Sequence, residues 1–335
     1  MSHPVRLGPT TDDAWLTEVC RSIEPEDVGA HLTLAARLTR EAPAPATGRT
    51  LSRWELLASL GAADLTAARV VEAHLDAVAI LDEAGAPQPP EGTTWGVFAA
   101  EAPDVRLDAS AGAVTGTKPW CSLAGSLSNA LVTAHSPQGR RLYAVDLRHP
   151  GVHPVAGGWH ARGLVRVPSG PVRFDDVPAT PVGEVGWYLT RPGFAYGGLG
   201  VAACWYGGAV GLARTLAAAA GRRAPDQIAL WHLGSVDLSL CQARAVLADA
   251  ARTVDAGEAT GSAGQLLALR VRTVVAQAAE AVLASVGHAL GPAPLALDAD
   301  HARRVSDLTL YLRQHHAERD EVALGELLSQ GPEPW

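Results

Sequence analysis

The sequence is poor in cysteine, and its cysteines form no recognisable pattern. Four are present among 335 residues, and none has a neighbour at the spacing of a zinc site or a redox pair. That scatter excludes a zinc-ribbon class and a disulfide scaffold, and it predicts reduced thiols in a cytoplasmic protein. The four are Cys20, Cys121, Cys204 and Cys241.

Long apolar runs and basic stripes are also missing. No charge-free apolar run reaches about 18 residues, so we expect no membrane span. The first residues, Met-Ser-His-Pro-Val-Arg, lack the apolar stretch of a secretory signal, which fits the same cytoplasmic expectation. The net charge is −8, which argues against nucleic acid as a partner because phosphates require basic surfaces. Hydrophobic residues make up 47% of the chain, enough to bury the cores of two or three domains.

Residues 1–92 have apolar residues at helical spacing, which predicts a helical domain. We place helices at 11–23, capped by Thr11, at 25–39, at 52–60, capped by Ser52, and at 65–84. His74 lies on the apolar stripe of the last helix. It is interpreted as a hydrogen-bonded core histidine, with a ligand role as the alternative.

The periodicity changes after the proline-rich segment 86–92. Residues 93–183 contain short alternating apolar runs separated by Gly and Pro, which predicts a β-barrel or sandwich that ends in turn residues 175–179. The strands are predicted at 95–99, 105–114, 131–134, 142–147, 152–155, 164–167 and 172–174.

Helical spacing returns in residues 184–335 and predicts a four-helix bundle. The helices are expected at 195–220, 226–256, 263–290 and 300–319. The glycines between Gly197 and Gly200 do not follow a strand, so we interpret them as helix-packing residues and not as a dinucleotide loop. Together the three segments, 1–92, 93–183 and 184–335, predict an α+β multi-domain fold.

Aromatic residues cluster at the start of this bundle. They could form the wall of a substrate pocket, or they could be ordinary core residues. They are Trp187, Tyr188, Phe194, Tyr196, Trp205 and Tyr206.

The stretch from Gly116 to Gly125 combines a large aromatic residue with a hydroxyl between two predicted strands. Trp120 offers a flat face on which an aromatic cofactor could stack, and Ser122 offers a donor for the edge of its ring. A core tryptophan in a β-turn is the alternative. We assign no role to Lys118, whose strand position would let it reach solvent.

The order of these features resembles the acyl-CoA dehydrogenase superfamily along nearly the whole chain. The motif Gly116-Thr-Lys-Pro-Trp-Cys-Ser122 is similar to that family's Gly-x-Lys-x-Trp-Ile-Thr strand. Further matches are Phe174-Asp-Asp-Val-Pro178 and Arg304-Val-Ser-Asp307. The resemblance implies a flavin, with Trp120 packed on its ring and Ser122 donating to it, and with Gly116 in the same motif.

The resemblance fails at the catalytic base. The family has a Glu eight residues after its Arg-Asp pair, where this chain has His315, with His316 and Glu318 close by. A His here resembles the flavin monooxygenase branch of the superfamily, whose reduced flavin comes from a separate reductase. We therefore name His315 as the candidate base, since a histidine can exchange protons near neutral pH, with Glu318 as an alternative. Adjacent histidines on one helix diverge, so we expect no metal site.

Phosphate binding is the second departure. Segment 100–106 lacks the Gly-Ser-Asp of the family's pyrophosphate loop. Arg222 and Arg223 could bind a phosphate, although both could instead be a solvated helix end. His232 falls near the position of the Gln in the family's adenine-binding segment. The resemblance therefore implies FAD, with FMN or no flavin left open.

Three functional hypotheses follow. The first is an acyl-CoA dehydrogenase-like flavoprotein that oxidises CH–CH groups of a CoA or carrier thioester. The second is a reductase-fed flavin monooxygenase of a biosynthetic pathway, and the third is a degenerate homologue that binds without redox chemistry. We expect a small-molecule substrate, a homodimer or homotetramer, and a flavin reductase or electron-transfer partner for the redox enzymes.

Overall fold

A computed structural model describes residues 3–9, 13–222 and 224–330 of the chain. The predicted cap Thr11 lies outside these residues. In the described part the N-terminal helices are α1 Asp13–Arg21, α2 Val28–Glu41, α3 Thr50–Ala63 and α4 Leu65–Glu83. The strands are β1 Trp95–Phe98, β2 Leu107–Ser110, β3 Ala113–Lys118, β4 Asn129–Ser136, β5 Gly139–Asp146, β6 Val152–Pro154 and β7 Val172–Val182. The C-terminal helices are α5 Trp187–Thr190, α6 Pro192–Arg222, α7 Gln227–Asp255, α8 Gly261–Leu290, α9 Pro292–Leu297, α10 Ala299–Tyr311 and α11 Glu318–Gln330.

The α+β architecture predicted from the changes of period is confirmed: helices, then strands, then a bundle of long helices. The domain boundaries at residues 92 and 183 stay a prediction. Within the described ranges, no helix combines the length and the apolar character that a bilayer crossing requires.

Helices α3 and α4 are the central helices of the N-terminal part, and nearly every residue of α3 is buried. Asp64 ends α3 and caps α4, because its side chain accepts hydrogen bonds from the backbone N–H groups of Thr66 and Ala67. The prediction that Ser52 caps α3 is wrong. The helix begins at Thr50, whose N–H donates to Asp255 at the end of α7 (3.1 Å), so a distant carboxylate stabilises this helix end.

Five strands close into a barrel. Each pairs with the next in the order β4, β2, β3, β7 and β5, and β5 pairs back to β4. Strand β1 lies parallel to β4 outside this ring, and β6 pairs with β7. The residues of β7 alternate between buried and exposed along most of its length, as expected for a strand with one face on the core.

Three β-domain predictions need correction. Segment 105–114 holds two strands, because the chain turns at Ala111 and Gly112, which both have positive φ. Residues 175–179 continue β7 and do not end the domain. Segment 164–167 is not a strand. Its Leu164 N–H instead donates to Asp307 on α10 (2.6 Å), which docks this loop onto the bundle.

Helices α6, α7, α8 and α10 form the predicted bundle, and α6 lies at its centre. Gly207 of α6 faces the backbone of Ala58 on α3 so closely that a Cβ there would overlap the Ala58 carbonyl. This contact brings the N-terminal helices and the bundle into one core. The glycines between Gly197 and Gly200 lie inside α6, which confirms their interpretation as helix residues.

The last predicted helix, 300–319, is wrong as a single helix. Helix α10 ends at Tyr311, a 3-10 turn covers Leu312–Gln314, and α11 begins at Glu318. Ala317 has a positive φ of 51°, which breaks the helical path. His315 and His316 therefore lie in a turn and not on a helix.

Candidate functional site

Trp120 lies in the loop after β3 and has 60% of its surface exposed. Its φ is +58°, a left-handed conformation that is strained for a bulky side chain. A large indole that is both exposed and strained contributes little to the core. Strain of this kind tends to occur where a residue has a functional role. The side chain thus presents a free aromatic face at the surface of the barrel.

Gly116 lies within β3, where β3 passes β2 and β7. Its φ is +125°, and a Cβ would overlap the carbonyl oxygen of Arg106, the residue before β2. The register between β3 and β7 also shifts between Val114 and Gly116. Only glycine can occupy this irregularity, which sets the direction of the strand that leads to Trp120.

The hydroxyl of Ser122 joins this loop to its surroundings. Ser122 Oγ lies 2.7 Å from Ser169 Oγ, and Arg69 Nη2 on α4 donates to Ser122 Oγ at 3.3 Å. Arg69 Nη1 in turn donates to Glu72 at 2.9 Å. These contacts link the Trp120 loop to the helical core.

Two cavities open beside Glu72. The larger one, of about 820 Å³, lies between α6, α8 and α11, and reaches Ala99 at the end of β1. The smaller one, of about 330 Å³, lies between α3, α4 and the start of α6. They share Glu72, Asp76 and Arg191 in their walls. A cavity of the larger size is typical of a small-molecule site.

The walls of the two cavities carry many ionisable groups. Six carboxylates and three guanidinium groups line one cavity or the other, so the walls carry excess acid. The carboxylates are Glu72, Asp76, Asp82, Glu83, Asp320 and Glu326, and the guanidinium groups belong to Arg53, Arg191 and Arg272.

Glu72 has a pKa close to neutral pH. Its side chain is buried, and burial raises its pKa to about 7 even though the charge of Arg69 opposes this rise. Burial also raises the pKa of Asp76, with the charge of Arg191 opposing it. Both groups are one turn apart on the same face of α4.

Arg191 lies in the wall that the two cavities share. Arg191 Nη1 donates to Glu83 at 2.6 Å, and Nη2 lies 3.8 Å from Asp76. Gly197 leaves space for this arrangement, since a Cβ there would lie 2.7 Å from an Asp76 oxygen. The helix-packing glycine therefore also shapes the cavity.

His315 is held inside the α10–α11 turn. The Ala317 N–H donates to its Nδ1 (3.2 Å), so the proton of the neutral ring is on Nε2, which lies 3.1 Å from Thr273 Oγ1. Burial lowers the pKa of His315, while Asp320 acts in the opposite direction. Both nitrogens are engaged within the protein, so in this arrangement neither is open to a ligand.

Arg272 on α8 fixes the same turn. It donates to the carbonyl of Gly198 on α6 (2.8 Å) and to the carbonyl of Gln314 (2.9 Å). Its guanidinium group lies 4.7 Å above the ring of Trp205, which gives a buried cation–π contact. The turn thereby brings Gln314 and His316 into the wall of the larger cavity, while His315 is not among the lining residues.

The other predicted site residues are farther away. Glu318 is exposed and lines neither cavity. Arg222 is exposed at the end of α6, about 25 Å along the helix axis from Trp205. His232 is buried on α7 with its ring 6.0 Å from that of His288. Among the described residues neither Arg222 nor His232 makes a hydrogen bond or ion pair with the Trp120 loop. Arg223 lies outside the described residues.

The predicted core histidine is confirmed. His74 is fully buried, Trp95 N–H donates to its Nδ1 (3.1 Å), and its Nε2 lies 2.7 Å from Thr39 Oγ1. Burial, with a smaller effect of Arg53, lowers its pKa to about 4. His74 is therefore neutral at physiological pH.

Lys118 is wrongly predicted to reach solvent. It is 1% exposed, and its Nζ donates to Glu101 (2.6 Å) and to Thr133 (2.8 Å). Arg140 also lies 3.2 Å from Glu101. Burial opposes ionisation of Glu101, but the hydrogen bond and charge of Lys118 outweigh it, so the pKa of Glu101 is lowered. The alternation of β3 could have placed Lys118 inward, but the partner Glu101 comes from a distant loop.

The donor set fits the ring of a flavin better than its phosphates. The exposed indole and the paired hydroxyls of Ser122 and Ser169 provide a stacking face and hydrogen-bonding groups. Segment 100–106 holds Glu101, which already pairs with Lys118 and Arg140 and leaves little positive charge for a pyrophosphate. Among the described residues, no cluster of three or more His, Cys, Asp or Glu is arranged to hold a metal.

The predicted aromatic cluster divides into two groups. Tyr188, Phe194 and Tyr196 line one or both of the cavities, whereas Trp205 and Tyr206 do not and are buried in the core. Tyr188 and Phe194 also form an edge-to-face pair with centroids 5.5 Å apart. Trp187 lines neither cavity and packs, partly buried, against the core. The cluster is therefore partly cavity-lining and partly core, and its role as a substrate wall stays a prediction.

Comparison with known proteins identifies the fold. No protein-family model matches the chain, and no curated protein matches it. Solved structures match it over nearly its whole length. Butyryl-CoA dehydrogenase from Megasphaera elsdenii has a TM-score of 0.79 at 14% identity, covering 96% of this chain and 99% of its own. A nitrososynthase from Micromonospora carbonacea var. africana has a TM-score of 0.81 at 19% identity, covering 98% and 100%.

A third match is KijD3, solved in complex with FMN and dTDP-3-amino-2,3,6-trideoxy-4-keto-3-methyl-D-glucose. Its TM-score is 0.75 at 18% identity, and the match covers 97% of this chain and 93% of that one. The chain thus has the fold of the acyl-CoA dehydrogenases and of the flavoproteins related to them, as the sequence resemblance implies.

Proposed function

We propose that this protein is a flavin-dependent oxidoreductase that acts on a small polar molecule. The flavin ring would lie on Trp120 and hydrogen-bond to Ser122, and the substrate would enter the larger cavity. A bound flavin supplies the electron transfer, which the side chains of the protein cannot. The chain's own residues would hold the substrate and manage its protons.

The observation that carries the substrate class is the charge of the cavity walls. The larger cavity, which the substrate would enter, is lined by four carboxylates and two guanidinium groups, and these suit a ligand with several hydrogen-bonding or charged groups. KijD3, with its amino-sugar nucleotide, shows that this fold can accommodate a polar ligand. Because residue 315 is a histidine and not the carboxylate of the dehydrogenases, oxygenation by a flavin that a separate reductase has reduced is our preferred reaction class.

The roles proposed for the α10–α11 turn follow from its geometry. His315 is engaged with Thr273 and Ala317, so we propose that it holds the turn and that His316 contacts the substrate. Glu318 is exposed in this structure. It stays a candidate base only if the α10–α11 turn rearranges. A His315→Ala variant would then keep its flavin and lose turnover.

Dehydrogenation of an acyl thioester is the second candidate. It is favoured by one observation: Glu72 places a carboxylate in the cavity, which could replace the base missing from the α10–α11 turn. Butyryl-CoA dehydrogenase shares the fold.

We also propose a homo-oligomer, as a dimer or tetramer. In the described part of one chain neither Arg222 at the end of α6 nor His232 on α7 makes a hydrogen bond or ion pair with the Trp120 loop, so we propose that they serve a flavin of a neighbouring subunit. FAD would use them for its adenine half, whereas FMN would not. A flavin reductase would be the protein partner of the oxygenase.

Spectra and oxygen uptake test the function. The purified protein is titrated with FAD and with FMN while its absorbance is recorded, and we expect a shifted flavin spectrum with saturable binding. With NADH, a flavin reductase and a panel of polar amino compounds, oxygen uptake above the substrate-free rate would support oxygenation. Anaerobic bleaching of the bound flavin by butyryl-CoA would instead support dehydrogenation. Failure to bind either flavin would support the third hypothesis, a degenerate homologue without redox chemistry.

A further inference from the structure

Glu72 lines both cavities and is joined to the Trp120 loop through Arg69. It is buried on α4. Its Oε2 takes the hydrogen bond from Arg69 (2.9 Å) and the longer contact from Tyr311 Oη (3.5 Å). Among the described residues Oε1 has no hydrogen-bond partner, so this oxygen is available to a ligand in the cavity.

Arg69 connects this carboxylate to the loop that would bind the flavin. One guanidinium nitrogen donates to Glu72, and the other donates to Ser122 Oγ at 3.3 Å. The planar guanidinium group keeps these two donors in fixed relative positions. A change of charge on Glu72 therefore alters how well the charge of Arg69 is neutralised beside Ser122.

The surroundings of Glu72 mix both signs of charge. Arg69 and Asp76 face it from its own helix, and Arg53 does so from α3. Burial favours its neutral form, and these neighbours leave its pKa at about 7. Four further groups interact with it from α5, α6, α8 and α10: Tyr188, Cys204, Arg272 and Tyr311.

We propose that Glu72 is the acid–base residue of this cavity, and that Arg69 is the positioning residue that couples the charge of Glu72 to the flavin loop. In the proton step an O–H bond forms at Oε1 while an N–H or O–H bond of the bound molecule breaks, and no electrons are transferred. This inference rests on the proposed flavin site. It concerns residues of α4 that the sequence motifs did not indicate.

The coupling has a definite sign. When Glu72 is ionised it neutralises Arg69, and when it is protonated the positive charge of Arg69 acts on the flavin loop. A reduced flavin carries more negative charge than an oxidised one, so it should bind more tightly when Glu72 is neutral. One charge at a distance of about 10 Å, with an effective dielectric constant of about 20, corresponds to a change of roughly tenfold in affinity.

The test compares wild type with E72Q, which is permanently neutral. The dissociation constant of reduced FMN is measured anaerobically for both proteins between about pH 6 and pH 8.5. The ratio of wild-type to E72Q constants cancels the titration of the flavin itself. We expect a ratio near 1 at the acidic end that rises to roughly tenfold at the alkaline end, because wild-type Glu72 loses its proton through that range. Asp82→Asn, a change in the smaller cavity away from Arg69, serves as the control, and its constants should follow those of wild type.

A second readout needs no flavin. Infrared difference spectra of the protein between the same pH limits should show the C=O bands of protonated buried carboxyls in wild type. The band of Glu72 should be lost in E72Q, whereas that of Asp307, whose pKa burial raises to about 6, should remain in both proteins. If wild type binds reduced FMN but the ratio stays at 1 throughout, the coupling is refuted. If the infrared bands are unchanged in E72Q, Glu72 is not the titrating acid. If wild type binds neither FMN nor FAD, the proposed function fails first, and this inference fails with it.

Discussion

Trp120 combines two properties that are rarely found together in one residue. Its indole is 60% exposed, and its backbone has a φ of +58°. The left-handed conformation costs roughly 1–2 kcal/mol for a residue with a side chain, and the exposed ring recovers little of this by burial. A residue with this conformational cost is expected where its side chain contacts a ligand and not the core.

Substitution of Trp120 separates stability from binding. In Trp120→Gly the strain is relieved, while the added freedom of glycine in the unfolded chain costs about 0.5–1 kcal/mol. The free energy of unfolding should therefore stay level or rise slightly in urea titrations. Flavin affinity should fall roughly tenfold, because the stacking face is lost.

Two further variants control this comparison. Trp120→Phe keeps an aromatic face and should bind flavin more tightly than the glycine variant. Trp120→Ala keeps the strained backbone and should be less stable than the glycine variant. A marked loss of stability in Trp120→Gly would show that the indole is part of the core, and unchanged flavin affinity would count against stacking.

At the scale of elements, the turn between α10 and α11 decides which histidine faces the cavity. The turn is tied to α8 by Arg272, which donates to the Gln314 carbonyl (2.9 Å), and by Thr273, which contacts His315 (3.1 Å). A helix that continued through residue 319 would place these side chains quite differently. The two bundle contacts therefore determine the shape of this part of the site.

Removal of the Arg272 side chain should loosen this turn. Arg272→Met removes the donor from the carbonyls of Gly198, which is partly buried, and Gln314, which is exposed and can bond to water instead. We expect the free energy of unfolding to fall by roughly 1–2 kcal/mol, the net contribution of two such hydrogen bonds. Amide hydrogen exchange in residues 312–317 should become faster. The matched control is Arg270→Met, since Arg270 is exposed two residues earlier and should have little effect. Equal exchange rates in both variants would contradict the role of Arg272.

At the scale of the whole molecule, α7 and α9 expose large apolar side chains. Ile228, Trp231 and Leu238 follow each other on one face of α7, and each is more than half exposed, as is Leu297 on α9. Such a face is unusual for a monomer. It lies near the end of the bundle that also carries Arg222 and His232, so it is the surface we expect a second copy to cover.

Trp231→Glu tests the oligomer. A buried negative charge at this face should disrupt the contact, so light scattering after size-exclusion chromatography should show a smaller species than wild type. Far-UV circular dichroism should stay unchanged, because the side chain is 63% exposed in one chain. The control is Val322→Glu, which changes an exposed apolar residue of α11. Wild type that already runs as a monomer would contradict the proposed assembly.

The sequence by itself determined the order of helices and strands, because the periods of 3.6 and 2 are local properties of the chain. It also located the Trp120 and Ser122 loop and the buried His74, since each depends on a short stretch or on one helical stripe. These predictions needed no knowledge of distant contacts.

Only the tertiary structure decided the chemistry of the cavity. Three ionic side chains have roles that depend on partners distant in sequence. Arg69 donates to Ser122, Glu72 accepts from Tyr311, and Lys118 donates to Glu101. The break of the last helix depends on Arg272 in the same way. Burial and pairing of charges depend on what the fold packs around a residue, and a one-dimensional pattern does not contain that information.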